Sequence, residues 1–244
     1  MDKLTHILQN LVNINYLFEL LPLIFCIVFF RKINTKALKV FFIYTISLAV
    51  FLVLGLVANK VFHNREAFFL ILRVYSTLEF CLLALFLKEL YRSPLAKKII
   101  IYLIVPVVAF SAIDYMNGNK TQFNNHINIV TSLIFILSLI YYFFEKMQND
   151  VTVPLYQSIT FWLCVGLFLY VTGSFFFFIF SSTSDVKAYQ QMTFIYTIVT
   201  ISKNIILCLS LLAHEQVPNQ HGKDGIYLPD ELLDDPETLP RKNV

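Results

Sequence analysis

Long apolar runs separated by short polar stretches follow one another along the whole chain up to about residue 213. A helix that crosses a bilayer needs about 20 predominantly apolar residues, and each run is close to that length. The polar stretches between the runs are too short to hold folded domains. The pattern therefore predicts an all-α, polytopic membrane protein with a seven-transmembrane helix bundle. The predicted spans are Ile14–Phe30, Leu38–Ala58, Ala67–Leu87, Ile99–Tyr115, His126–Phe144, Ser158–Ser181 and Gln190–Ala213.

The two ends of the chain differ from the apolar part. Residues 1–13 are predicted to form a short N-terminal lead-in, in which leucine and isoleucine recur at helical spacing. Residues 14–213 make up the seven-helix transmembrane domain. Residues 214–244 are polar, acidic from Asp230 to Glu237 and rich in proline. Such a composition predicts a disordered cytoplasmic tail.

The composition supports the membrane assignment. Hydrophobic residues make up 57% of the 244 residues, charged residues 14%, and the mean hydropathy is +0.67. A soluble domain carries roughly 25% charged residues. The net charge of +3 is small and dispersed, so a nucleic-acid partner is not expected. The lipid bilayer is the expected environment, and soluble classes of enzyme are excluded.

Lysine and arginine distribute unequally between the two sides of the predicted spans. Basic residues accumulate on the cytoplasmic side of membrane proteins. Twelve lie on one side and five on the other, which predicts an N-terminus outside, a C-terminus in the cytoplasm and an inner-membrane location. The basic side holds Arg31, Lys32, Lys36, Lys39, Lys88, Arg92, Lys97, Lys98, Lys146, Lys223, Arg241 and Lys242.

Four ionisable residues fall within the apolar runs: Glu19, Arg73, Glu79 and Lys203. A charge at membrane depth costs about 2.5–3.5 kcal/mol on insertion scales, so such residues indicate function. At 1.5 Å per residue, Glu79 and Lys203 both lie roughly 18–20 Å inward from the outer ends of their spans. We therefore expect these two to pair near mid-membrane. Glu19 and Arg73 lie nearer the outer surface, and we expect them to form a structural ion pair.

Polar residues at helical spacing surround the predicted Glu79–Lys203 pair. Tyr75 precedes Glu79 by one turn, Asn204 follows Lys203, and Tyr170 belongs to a stripe with Gly166, Gly173 and Ser174 in the sixth span. These stripes predict faces that point into the bundle. The predicted ligand-binding set consists of Tyr75, Glu79, Tyr170, Lys203 and Asn204.

No catalytic or metal-binding constellation is expected. The five histidines lie in loops, tails or helix ends, and the four cysteines lie in apolar runs without a CxxC motif. A zinc site needs several such ligands converging at one depth, and a serine nucleophile needs a basic partner. We therefore expect no metal and no resident cofactor, and an enzymatic activity is not favoured.

Three segments together resemble an uncharacterised family of small seven-transmembrane proteins from Bacteroidota. The family shows a Tyr…Glu-Phe pattern in the third span, Phe-Trp…Tyr…Gly in the sixth and Lys-Asn near the middle of the last. The resemblance implies an inner-membrane location, and some members are encoded beside sensor kinases, which implies a sensing role. The segments are YSTLEFCLLALFLKEL (75–90), FWLCVGLFLYVTGSFFFFIF (161–180) and TIVTISKNIILCLSLLA (197–213).

Several functions are compatible with these residues. The first is a sensory or regulatory membrane protein that binds a small or lipidic ligand in the bundle and signals to a cytoplasmic partner such as a sensor kinase. The second is a rhodopsin-like protein with retinal on Lys203 as a Schiff base and Glu79 as counter-ion, for which a visible absorption band is the test. The third is a small-solute or proton-coupled transporter, against which the absence of an apparent repeat counts. A lipid-modifying enzyme is a fourth. We favour the first.

Overall fold

The computed structural model describes residues 2–117, 125–149, 158–180 and 186–212, and these residues form helices and connecting turns without any strand. The predicted tail, residues 214–244, lies outside the described residues. Residues 2–13 of the predicted lead-in continue into the first apolar run as one helix. The helices are α1 (Asp2–Val28), α2 (Lys36–Leu56), α3 (Arg65–Leu90), α4 (Pro94–Tyr102), α5 (Ile104–Asn117), α6 (Asn125–Asn149), α7 (Ile159–Phe180) and α8 (Val186–Leu212).

Six segments of the described chain are long and apolar enough to cross a membrane. The apolar part of α1, Ile14–Val28, is shorter than these six. The predicted all-α fold is thereby confirmed for the described residues, and α1 adds a shorter apolar helix to the six segments that have the length and apolarity of membrane spans. The six long segments are Lys36–Val61, Glu66–Leu90, Pro94–Asn117, Asn125–Gln148, Ile159–Phe180 and Gln191–Leu212.

Polar side chains define where several helices begin. Thr35 Oγ1 accepts a hydrogen bond from the Leu38 amide at 3.3 Å, and Asn64 Oδ1 accepts one from the Ala67 amide at 3.0 Å. Ser93 Oγ accepts one from Ala96 at 3.4 Å. Each oxygen satisfies an amide that has no partner within its own helix, which stabilises the start by about 1 kcal/mol.

The predicted fourth span is interrupted. Helix α4 ends at Tyr102 and α5 begins at Ile104, although the two together are long enough for one crossing. Pro106 has no amide hydrogen to donate to the carbonyl of Tyr102, and its ring crowds that carbonyl. The break at Leu103 therefore has a local cause that is visible in the sequence.

The helices form a closed ring in which chain neighbours pack side by side. Helices α4 and α5 together occupy one position between α3 and α6, and α8 returns to pack against α1. Helix α3 also contacts α6 across the ring. This arrangement gives the bundle an interior onto which α1, α2, α3, α6, α7 and α8 can all place side chains.

The two halves of the bundle differ in their interior. The half that holds the end of α1 and the start of α2 is filled by large apolar side chains from nearly every helix; we call it the packed half. The other half, with the start of α1 and the end of α2, contains a cavity. The packed half includes Leu38, Phe41, Phe86, Leu87, Tyr91, Leu139, Tyr142, Leu163, Leu207 and Leu211, each at most 4% exposed.

Two glycines allow α7 and α8 to approach closely. A Cβ on Gly173 would lie 2.5 and 2.8 Å from the methyl groups of Val199, and one on Gly166 would lie 3.1 Å from Cγ2 of Ile206. Because small residues let transmembrane helices pack at short range, the predicted Gly166–Ser174 stripe has a structural role at this interface.

Replacing Gly173 by Ala is expected to destabilise the protein by about 1–3 kcal/mol, because Val199 would have to move away from the added methyl. Gly55→Ala is the matched control, since its Cβ would lie 3.7 Å from the Phe68 ring, at ordinary contact distance. The control should be neutral or slightly stabilising, because alanine favours a helix by about 1 kcal/mol over glycine. Thermal unfolding in detergent measures both. Equal midpoints for the two variants would contradict the close α7–α8 contact.

Candidate functional site

A cavity of about 1000 Å³ occupies the half of the bundle opposite the packed half. Its lining comes from α1, α2, α3, α6, α7 and α8. The exposed residues Asn59 and His126 belong to this lining, so the cavity reaches the surface at the end where α2 stops and α6 begins. Its inner end lies near the middle of the bundle.

Three ionisable side chains meet at the inner end of the cavity: Glu19 from α1, Glu79 from α3 and Lys203 from α8. Lys203 attracts both carboxylates electrostatically, and the two carboxylates repel each other. Among the described side chains, neither carboxylate makes direct ion-pair contact with Lys203. We call Glu19, Glu79 and Lys203 the charge cluster.

Hydrogen bonds and aromatic rings hold the charge cluster in place. Tyr44 donates its hydroxyl to Glu79 Oε1 at 3.1 Å, and Asn15 Nδ2 donates to Glu19 Oε1 at 3.1 Å. The ammonium of Lys203 lies 4.2 Å from the centre of the Tyr170 ring, which is within the range of a cation–π interaction. Each charge in the cluster thus has a partner that limits the cost of burial.

Aromatic side chains form the apolar wall of the cavity. Phe177 stacks on Tyr196 with ring centres 4.6 Å apart, Phe80 lies 5.0 Å from Phe135, and Phe51 lies 5.6 Å from Tyr75. These contacts come from five different helices, so the wall surrounds the cavity. Rigid rings of this kind bury a large area and leave the polar end to select the ligand.

A second polar region lies between α3 and α6. Ser76 donates a hydrogen bond to Asn128 Oδ1, and Asn125, Thr131 and Ser132 also line the cavity here. These uncharged groups are both donors and acceptors. The cavity therefore has a charged end, an apolar wall and a neutral polar strip.

Four of the five predicted ligand-binding residues line this one cavity: Tyr75, Glu79, Tyr170 and Lys203. Tyr75 and Tyr170 turn their hydroxyls towards Glu79. Asn204 is not part of the lining. Its side chain is fully buried, and its amide nitrogen and oxygen have no hydrogen-bond partner among the described residues. Successive residues of a helix point about 100° apart, which explains why Lys203 faces the cavity and Asn204 does not.

The structure does not bring Glu19 and Arg73 together. Glu19 faces the cavity and interacts electrostatically with Lys203 and Glu79. Arg73 is only 8% exposed and lies over the ring of Tyr115 on α5, 5.6 Å from its centre. Arg73 is not part of the cavity lining. Depth along a helix was predictable, but the direction around its axis was not.

Tyr44 is the main site residue that the sequence reasoning missed. It is 1% exposed and supplies the direct hydrogen bond to Glu79. The sequence does contain an indication that Tyr44 faces the interior. Tyr44 and Thr45 are polar positions in a mostly apolar run, and they recur with Phe41 and Leu48 at helical spacing. Asn128, the partner of Ser76, has the same kind of signal in α6.

The chemistry that the site offers is ion pairing, hydrogen bonding and the nucleophilicity of one lysine. Within the described ranges, no group of three His, Cys, Asp or Glu side chains converges as metal ligands would. A ligand with one polar end and an apolar body matches the charged end and the aromatic wall.

Lys203→Met is expected to destabilise the protein by several kcal/mol, because it removes the ammonium that attracts both buried carboxylates. Adding Glu79→Gln should recover part of this loss, with a coupling energy of about 0.5–3 kcal/mol. The double-mutant cycle is measured by thermal unfolding in detergent. Lys88 and Glu89, a partly exposed pair at 3.5 Å, give the control cycle, in which coupling stays below about 1 kcal/mol. Additive effects of Glu79→Gln and Lys203→Met would show that the two groups are not coupled.

No protein-family model matches the chain, and no curated protein or solved structure matches it.

Proposed function

We propose that this chain is a multi-pass membrane protein that binds a small or lipidic amphiphilic ligand in its cavity and reports binding to a cytoplasmic partner. The observation that carries the proposal is the combination of an aromatic-walled cavity with the charge cluster at its inner end. Pockets for small molecules have volumes of about 300–1,000 Å³ and few, convergent polar groups, and this cavity fits that description.

The free-energy cost of burying the charge cluster supports a binding role. An all-apolar interior would stabilise a helical bundle without placing three ionisable groups inside it, so such groups at membrane depth indicate function. Their partners Tyr44 and Tyr170 come from two further helices. A ligand that engages Lys203 or Glu79 therefore acts on contacts between several helices at once.

Helix α8 offers a route from the cavity to the opposite end of the bundle. It carries Lys203 in the charge cluster, and eight residues later, about 12 Å along the helix, its Leu211 carbonyl accepts a hydrogen bond from Lys32 Nζ at 3.1 Å. Lys32 lies in the turn between α1 and α2, on the side predicted to be cytoplasmic. A shift of α8 upon binding would change this contact.

The packed half favours a binding site over a conduit. Large side chains such as Phe41, Phe86 and Leu163 close the interior below the charge cluster. A transporter would have to open this half in another conformation. The resemblance to seven-transmembrane proteins encoded beside sensor kinases agrees with a sensing role, and we include a sensor kinase as the proposed cytoplasmic partner.

We also propose seven crossings, with the N-terminus outside and the C-terminus in the cytoplasm of an inner membrane. In this orientation the cavity opens away from the cytoplasm. Epitope tags at the two ends should then be accessible from opposite sides of the membrane in intact cells. A reporter inserted in segment 150–157 should be accessible from the same side of the membrane as the C-terminal tag. A reporter inserted in segment 118–124 should be accessible from the opposite side. Tags accessible from the same side would mean that α1 does not cross.

The binding proposal is tested with oleic acid, oleylamine and oleyl alcohol, which share one apolar body and differ in the polar end. We expect the full chain in nanodiscs to bind at least one of them, detected by native mass spectrometry. Glu79→Gln should change that affinity about tenfold or more, which corresponds to 1.4 kcal/mol. Glu89→Gln on the same helix is the matched control and should leave affinity unchanged. Binding that is equal in the wild type and both variants, or no binding of any probe, would contradict the proposal.

A further inference from the structure

Lys203 is placed as a reactive lysine would be. It lies on α8 within the span Gln191–Leu212, is 2% exposed, and lines the cavity. Its nitrogen rests against the face of the Tyr170 ring at 4.2 Å from the centre. Among the described residues, no side chain forms a hydrogen bond or direct ion pair with this nitrogen.

The surroundings of Lys203 match the conditions for Schiff-base chemistry. A lysine amine attacks a carbonyl only when it is unprotonated, and desolvation among apolar groups is one of the ways in which proteins activate it. The ring of Tyr170 covers one side of the nitrogen, the cavity provides room for the incoming ligand, and Glu79 and Glu19 supply the negative charge that stabilises a protonated Schiff base. A carboxylate bonded directly to the nitrogen would block this approach, and no carboxylate of the described residues is so bonded.

We propose that Lys203 is a covalent attachment site for an apolar aldehyde, held in the cavity as a protonated Schiff base. This inference rests on the proposed ligand-binding function of the cavity and names its ligand class. The amine nitrogen forms a bond to the carbonyl carbon, the carbonyl π pair moves to oxygen, and protons pass from nitrogen to oxygen. Loss of water then leaves a C=N bond that carries one proton. The overall change converts an aldehyde and an ammonium into an iminium and one water, without an oxidant or reductant.

The charge cluster stabilises the protonated Schiff base as it stabilises the free lysine. The iminium carries the same single positive charge as the ammonium, so the attraction of Glu79 and Glu19 is retained. Glu79 is held by Tyr44, and Glu19 by Asn15, so both carboxylates are fixed around the nitrogen. The apolar body of the aldehyde would extend along the aromatic wall, where Phe51, Phe80 and Phe135 lie.

The experiment compares aldehydes with alcohols of the same skeleton: retinal with retinol, and trans-cinnamaldehyde with cinnamyl alcohol. The full chain in nanodiscs is incubated with each, reduced with borohydride and mapped by peptide mass spectrometry. We expect at least one aldehyde to add its reduced mass to Lys203 with at least tenfold preference over Lys60, which is exposed at the end of α2. Neither alcohol should add mass. Retinal should also produce an absorption band to the red of the free aldehyde.

Two variants keep the test independent of folding. Lys203→Arg retains a cation but cannot form an imine. The labelled peptide should therefore disappear, while retinol or cinnamyl alcohol should still bind. Glu79→Gln should shift or abolish the red band, because the nearby carboxylate stabilises the protonated imine. Labelling of Lys203 no greater than that of Lys60 would overturn the inference. If the alcohols bind and Lys203 remains unlabelled, the proposed function stands and the aldehyde class is wrong. If neither the alcohols nor the three oleyl probes bind, the proposed function fails.

Discussion

Three charges buried in an apolar bundle set the strongest constraint on this structure. Glu19, Glu79 and Lys203 come from α1, α3 and α8, and each would be costly if it faced lipid. The attraction of both carboxylates to Lys203 makes burial tolerable only when these helices turn the right faces inward. In the ring order, α8 packs against α1, and α2 packs against both α1 and α3, so the three helices can direct these side chains to one interior. Tyr44 and Asn15 then fix the carboxylates by hydrogen bonds.

The unequal halves of the bundle follow from where the polar groups lie along the helices. Below the charge cluster, leucine and phenylalanine side chains from neighbouring helices pack together, as in the contact of Phe41 with Phe86 at 5.9 Å between ring centres. Close packing of this kind resists deformation, so a displacement at the cluster is carried by whole helices. Above it, tyrosines and short polar residues do not fill the space, and the cavity remains. The cavity and the close packing therefore occupy different halves of the bundle.

Much of the fold was predictable from the sequence. The apolar runs predict the long helices, Pro106 predicts the break between α4 and α5, and depth along the spans brings Glu79 and Lys203 to one level. The partner of Glu19 was not predictable, because depth does not specify which way a side chain turns around the helix axis. Tyr44 was missed for a different reason: a tyrosine in an apolar run resembles packing bulk until a carboxylate is known to lie opposite its hydroxyl. Seven crossings and their orientation stay predictions.

Helix α1 shows how the site and the membrane make opposing demands on one segment. Its apolar part, Ile14–Val28, includes Asn15 and Glu19 one turn apart. A helix that only had to enter a bilayer would be apolar at both positions. Asn15 donates to Glu19 from the preceding turn, so the two form one polar unit, and packing between α2 and α8 directs that unit towards Lys203. Helix α1 thus places the second carboxylate of the charge cluster within an apolar segment.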